Sequence, residues 1–446
     1  MMKFIQTILN IFKIEDLRNR LGVTFLLVLV YRLGCHIVLP GISPADLEAM
    51  RNFTDKGLMQ LLDMFSGGAF SQASIFALGI MPYITASIVI QLAGMVLPSF
   101  QKMQREGESG RMKLNQYTRY LTVAILFVQA PAYLVNLQYQ VTAAGGHAQL
   151  SMWVMIYLSV VLTAGSMFIM WLGEKITDKG VGNGISMIIL VGIIARFLGA
   201  IFQEFTGRLN TAQGGLVMFL VEIIILFAVI AGGIMLVQGT RKVPVQYAKR
   251  IIGNRQYGGA RQYIPLKVNA ANVMPIIFAQ ALMFIPITLA GFGAHSNADG
   301  ILGTISRVFG DMNGVWYNVV YFVMIVLFTY FYTAITVRPN DIAENLKKNS
   351  GFIPGVKPGK KTAEYLDSIM SRITLPGSLF LGIVAIMPAF ARYFGVNQSF
   401  AQFFGGTSLL ILVGVVLDTL QQIETHLMMH HYDGLMKSGK IKGRTN

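Results

Sequence analysis

Residues 57–91 read GLMQLLDMFSGGAFSQASIFALGIMPYITASIVIQ, and the fold follows from how that stretch divides. From Ile75 to Leu97 the chain is apolar for long enough to cross a hydrocarbon core about 30 Å thick at about 1.5 Å per helical residue. Gly57 to Gln72 is apolar too, but Asp63 and the Ser66-Gly67-Gly68 break leave too little to cross. That stretch is a half-element lying beside a full span.

The same pattern extends in both directions. Of 446 residues 54% are apolar and 13% charged, against about 25% charged in an ordinary soluble domain, which excludes a soluble globular protein. Candidate spans are Leu21 to Pro40, Ile75 to Leu97, Tyr117 to Leu137, Met152 to Leu172, Gly184 to Gln203, Gly214 to Val237, Asn272 to Gly293, Val315 to Thr336, Pro376 to Ala391 and Phe403 to Ile423. The ninth is short and is expected to extend backward through Ser371. The single cysteine, Cys35, forms no intrachain disulfide, and no CxxC or Cys/His cluster is present to hold a metal. Residues 1–20 read as an amphipathic cytosolic helix leading into a full-length span, without a cleaved signal.

Orientation follows from cationic loops, which resist translocation. With the amino terminus inside, most of the 36 Lys and Arg fall on cytosolic stretches. Arg51, Lys56, Arg208, Arg307 and Arg392 fall on the outer side, and Arg32, Arg119 and Arg196 fall inside or at the edge of spans. Both termini are expected in the cytosol, with a cytosolic tail at 425–446.

Divided near Asn210, the chain has five spans in each half, residues 21–209 and 210–424. Ile80-Met81-Pro82-Tyr83-Ile84 in the second span is echoed by Val273-Met274-Pro275-Ile276-Ile277 in the seventh. An odd span count inverts one half relative to the other, and proline-interrupted segments at matching positions point to a pathway at their interface. Chance recurrence in a Met-rich chain would give the same short match; the equal span counts favour the repeat. The expected fold is an all-α polytopic membrane protein with ten transmembrane helices in two inverted pseudo-symmetric halves of five.

A solute or proton carrier places ionisable groups at mid-membrane. Only Glu222, Arg196 and Asp418 come near, and for each, pairing with a neighbour or snorkelling competes with ion coupling. Spans two, five, seven and ten instead carry β-branched residues beside Gly and Pro, as in Gly79 to Ile84, Ile185 to Ile189 and Leu409 to Ile411. Such a constriction stops ions by dewetting yet deforms around varied cargo; helix packing or lipid contact would use the same residues. Two long basic loops, 240–269 and 337–375, with Tyr247, Tyr257 and Tyr263 in the first, would suit RNA or an acidic protein, or be merely solvated. No GxxxxGK[ST], GxSxG or HExxH run is present, so no catalytic residue, cofactor or metal is expected, and energy must come from a partner or the membrane potential.

Ser66-Gly67-Gly68-Ala69 and Ser74 to Ile84 closely resemble the SecY family of bacterial protein-conducting channel subunits. The likeness continues through EGESGR (Glu106 to Arg111), QYTRY (Gln116 to Tyr120), GNGIS (Gly182 to Ser186), PLKVN (Pro265 to Asn269), RPNDIAENLKK (Arg338 to Lys348) and GFIPGVKPG (Gly351 to Gly359). The resemblance implies a pore ring at Ile80, Ile84, Ile189, Ile277 and Ile411. It implies a plug over residues 58–70, including Leu61, Leu62, Met64, Phe65, Ser66, Gly67 and Gly68, and a lateral gate toward lipid lined by Ser87, Gln91 and Gln280. It also implies docking of the ribosome or the SecA motor ATPase through Lys249, Arg250, Arg255 and Lys357, with Lys360 and Lys361 nearby. Lys357 stands where many relatives carry arginine, and an ammonium lacks the bidentate guanidinium fork. Further implied partners are SecE-like and SecG-like membrane subunits, membrane lipid and an unfolded preprotein with a signal peptide, at the bacterial plasma (inner) membrane. A secondary transporter of a small solute is the rival reading, and it would need groups such as Glu222.

Overall fold

The computed structural model describes residues 14–42, 63, 65–143, 151–210, 215–247, 250–252, 255–257, 261–271, 273–280, 282–283 and 314–437. Of the residues singled out above, Arg51, Lys56, Leu61, Leu62, Met64, Lys249 and Arg307 lie outside the described residues, as do 1–13 of the amino-terminal segment, 58–60 of the half-element, the second half of span seven and 438–446 of the tail. Helix α1 (Glu15–Gly34) is followed by α2 (Met81–Val96), α3 (Pro98–Arg105), α4 (Glu108–Ala143), α5 (Met152–Lys179), α6 (Gly184–Asn210) and α7 (Gly215–Gln238). Strands β1 (Thr240–Tyr247), β2 (Arg250–Ile252), β3 (Arg255–Tyr257) and β4 (Arg261–Lys267) come next. After helical residues 274–280 the chain forms α8 (Val315–Thr336), α9 (Pro339–Lys348), β5 (Gly351–Phe352), α10 (Lys360–Tyr393), α11 (Gln398–Ala401) and α12 (Gly406–Lys437).

Among the described residues seven helices are long and apolar enough to cross a membrane, and α2 with α3, bent by 102°, makes an eighth candidate. The bend has a local cause. Leu97 precedes Pro98 and is extended, at φ −97° and ψ 119°, because the proline ring disfavours helical backbone in the residue before it. Helix α2 begins at Met81, not at Ile75 as the hydropathy suggests. Gly79 adopts φ +57° and Pro82 sits in the first turn, where a missing amide costs nothing, so residues 75–80 stay in turns.

The chain divides into two compact units, Met1–Ala200 with Val415–Asn446, and Ile201–Gly414. In the first, α1 packs on α5, α2 on α4 and α4 on α5. Leu134 and Leu137 of α4 and Leu158 and Leu162 of α5 enclose Phe70, Ala73 and Ala77.

In the second unit α8 runs along α10, and the basic loops are built, not merely solvated. Strand β1 pairs antiparallel with β4 on one side and β5 on the other. Val243 and Val245 are buried while Lys242 and Pro244 face out, the two-residue alternation of a half-buried strand. Those valines and Leu266 share a core with Leu346 of α9, Ile353, and Leu366 and Met370 of α10. That core explains why the ninth span runs back as far as Lys360: its first turns serve the ribbon, and the rest continues through Pro376 as the span.

Candidate functional site

Residues 63–80 are where the half-element meets the first broken span. Asp63 and Phe65 are helical, and from Ser66 the backbone turns repeatedly, with Gly67 at φ +67° and Gly68 at φ +90°, conformations glycine reaches without a Cβ clash. The turn closes on its own polar groups. Ser66 Oγ donates to the Asp63 carbonyl at 3.1 Å and accepts the Phe70 amide at 3.0 Å. Asp63 Oδ1 accepts the Ser71 amide at 2.7 Å, and the Gly68 amide donates to the Asp63 carbonyl at 2.8 Å.

Three helices hold this turn. From α1, the Tyr31 hydroxyl donates to the Ser66 carbonyl at 3.1 Å, Arg32 Nη1 to the Gly67 carbonyl at 2.9 Å, and the Cys35 thiol to the Ser66 carbonyl at 3.9 Å. From α4, the Tyr133 hydroxyl donates to the Phe70 carbonyl at 3.0 Å, with the two rings edge to face at 4.9 Å. From α6, Arg196 forms an ion pair with Asp63, whose side chain is 0% exposed. Gly67 lies so close to α6 that a Cβ there would sit 2.8 Å from Gly192 Cα. Ile189, Gly192 and Arg196 stand three and four residues apart, on one helix face, so the face that meets the turn also carries Ile189. Behind the turn, Val38 and Ser74 form an antiparallel bridge.

In the first unit Ile80 is the N-cap of α2 and is 2% exposed. The Ile84 amide donates to its carbonyl at 3.1 Å, so these two isoleucines share one turn. Ile189 is buried. In the second unit Ile411 is buried and Ile277 half-buried. On α2, Gln91 Nε2 donates to Ser87 Oγ at 3.3 Å, an intrahelical bond. Gln280 is half-buried on the helical run whose Phe278 packs on Phe328 and Tyr332 of α8, at 5.8 and 6.0 Å.

The basic candidates sit on built elements. Arg250 and Arg255 lie in β2 and β3, an antiparallel pair in which Arg250 is opposite Tyr257 and Arg255 opposite Ile252. Lys357, Lys360 and Lys361 are exposed. The Lys357 carbonyl accepts the Thr362 hydroxyl at 3.0 Å, and Lys361 pairs with Glu364 at 3.0 Å.

Of the three charges near the spans, Arg196 and Glu222 resolve into pairs. Glu222 accepts Arg208 Nη2 at 2.5 Å. Arg208, expected in an external loop, belongs to the last turn of α6, where its side chain is 12% exposed. It also grips Glu204 at 2.9 Å and the Gly395 carbonyl at 3.0 Å, and Glu204 in turn accepts the Asn397 amide at 2.9 Å. Buried carboxylates need such a partner. Asp418 is exposed on α12, beside Gln421, Gln422, Thr425 and His426. What the sequence did not reveal is the set Tyr31, Arg32, Tyr133 and Arg196 around the turn. The available signal was two arginines inside spans, and intramembrane charges are rare without a role.

The fold defines a class: a polytopic helical membrane protein with a short glycine-turned element packed at the start of its broken second span. Residues 74–420 match the SecY family model. Protein translocase subunit SecY of Streptomyces griseus is 44% identical over 436 residues, covering 96% of this chain and 98% of that one. Two solved structures share the fold. One is a SecY channel whose plug domain is described as stabilising the closed state and maintaining a membrane seal (TM-score 0.60, 19% identity, 92% of both chains covered). The other is Sec61 in the canine ribosome-channel complex (TM-score 0.56, 18% identity, 92% of both chains). The chain belongs to the SecY family, and it is a multi-pass, protein-conducting channel subunit of a translocase.

Proposed function

We propose that the chain forms the polypeptide pore of a bacterial plasma-membrane translocase, both termini cytosolic, with Ile80, Ile84, Ile189, Ile277 and Ile411 as its seal. The observation that carries this reading is the seating of the turn at residues 63–68 on the face of α6 that bears Ile189, immediately before the Ile80 turn of α2. A stopper adjoining β-branched side chains makes a dry barrier, and dewetting bars ions without a fixed ligand set. A passing unfolded chain spreads the isoleucines; the barrier reforms behind it. Ser87, Gln91 and Gln280 line the seam toward lipid, where bonds worth about 1 kcal/mol open reversibly. Sorting is partition: Leu or Ile gains a few tenths of a kcal/mol in the bilayer, while Lys or Asp loses about 3 kcal/mol. The channel exposes cargo to two solvents and reads no sequence.

The working assembly includes SecE-like and SecG-like membrane subunits, and SecA or a ribosome docks on the cytosolic ribbon through Arg250, Arg255, Lys357, Lys360 and Lys361. The exposed side chains of Lys357, Lys360 and Lys361, close in sequence to a ribbon with its own core, and the place of Arg250 and Arg255 on the β2–β3 pair support that docking, and so does the ribosome carried by the canine neighbour. The test is reconstitution with the partner subunits and a preprotein. Protected cargo should appear in the vesicle lumen, and Ile411→Asn should raise ion leak and admit signals of lower apolarity. Unchanged leak and unchanged stringency would remove Ile411 from the seal. Saturable uptake of one small solute, without protein export, would favour the transporter.

A further inference from the structure

The turn at residues 63–80 is held in two chemically different ways. The tip, Asp63 with residues 65–68, is fixed by polar groups: Arg196 on Asp63, Arg32 on the Gly67 carbonyl, Tyr31 and Cys35 on the Ser66 carbonyl. Residues 70–77, the base, are fixed chiefly by apolar packing among α4 and α5, with the Tyr133 hydroxyl on the Phe70 carbonyl and backbone bonds from Leu39 to Ala73 and from Ile75 to Ile37 alongside. Water can replace every polar partner of the tip once the tip is exposed to solvent, whereas stripping the base from its core would expose apolar surface. The division marks which part leaves. We infer that Arg32 and Arg196 are positioning residues that latch the tip closed from α1 and α6, and that Cys35, beneath the Ser66 carbonyl, becomes reactive when the latch opens.

The pair Asp63–Arg196 suits a latch. Asp63 is fully buried while the Arg196 side chain is 27% exposed; a close ion pair roughly repays the desolvation of the buried carboxylate, so separating both into water costs little, while removing the guanidinium leaves that carboxylate buried without its cation. Deleting Arg196 alone therefore drives Asp63, and the tip with it, toward water. Cys35 is 1% exposed, and a buried apolar-shielded thiol is inert until solvent reaches it. As the only cysteine of the chain, it reports on the unaltered protein.

The inference rests on the channel reading above. The experiment measures the rate at which a membrane-permeant maleimide alkylates Cys35 in the full chain, assembled with its partner subunits in membranes. Arg196→Ala should raise that rate roughly 100-fold, the lower end of what an unpaired buried charge implies, and Arg32→Gln about tenfold, for loss of one charged hydrogen bond. Arg196→Lys should stay near the wild-type rate, and the exchange of Asp63→Arg with Arg196→Asp should restore slow alkylation even where Arg196→Ala fails to accumulate. Arg119→Gln, which removes the α4–α5 pair with Glu174, is the control and should change nothing. A wild-type rate in Arg196→Ala, or an exchange variant as fast as the single Arg196→Asp, overturns the latch. Inert Cys35 in every variant that still exports cargo sinks the latch and leaves the channel standing; absence of export from the wild-type assembly sinks the channel reading instead.

Discussion

The tip and the base of the proposed plug are neighbours in sequence and differ in construction. The tip, Asp63 with residues 65–68, has almost every bond directed at a carbonyl or a carboxylate. The base, residues 70–77, contributes Phe70, Ala73 and Ala77 to a core with Ala130, Leu134, Leu137, Leu158 and Leu162. Polar contacts exchange with water at modest net cost; apolar burial does not. On the latch proposal one stretch of chain carries an anchor and a movable head, and the two should respond differently to damage: anchor changes should cost stability, and head changes should alter gating.

The largest effect belongs to the anchor. Leu134 is 0% exposed, and Leu134→Ala should remove about 2–5 kcal/mol through lost burial and the cavity left behind. Thermal unfolding of the detergent-purified complex should begin at lower temperature, with leak following from lost fold. An unchanged midpoint accompanied by leak would erase the distinction between anchor and head. The middle effect belongs to the head. Gly67→Ala places a methyl 2.8 Å from Gly192 Cα and forces a side-chain residue to φ +67°, a backbone cost of about 1–3 kcal/mol. That cost falls only on the seated state, so chloride leak from proteoliposomes should rise while the unfolding midpoint stays near wild type. A midpoint as low as that of Leu134→Ala would mean that the head, too, is structural.

How far the sequence could be read follows the same division. Most of the spans, the interruption at Pro82 and the Ser66-Gly67-Gly68 break were legible because hydropathy and backbone chemistry are local; the bend before Pro98 went unread. The partners of the tip were not legible. Arg32 meets Gly67 across 35 positions, and Arg196 meets Asp63 from a different helix, so sequence spacing, which brings together only residues three or four apart, left them as stray charges. Arg208 read as part of an external loop; its pairing with Glu204 four residues back, and the packing of α7 that brings Glu222 to the same guanidinium, came only from the structure. In the basic loops, charge drew the reading toward docking and hid the Val243–Val245 alternation that builds a strand.

The smallest effect lies at the boundary between head and anchor. Tyr133 is 6% exposed; its ring packs edge-on against Phe70 and its hydroxyl reaches the Phe70 carbonyl. Tyr133→Phe keeps the ring and removes only the hydroxyl. The Phe70 carbonyl still accepts the Ala73 amide at 3.2 Å, so it is not stranded, and the loss should stay near about 0.5–1.5 kcal/mol. Because the bond joins the last residues of the turn to α4, its removal should shift the unfolding midpoint and the leak together, each by less than the variant that tests it alone. If instead the leak rises as far as in Gly67→Ala with no change in midpoint, Phe70 belongs to the moving head, and the hinge lies beyond it, nearer the Val38–Ser74 bridge.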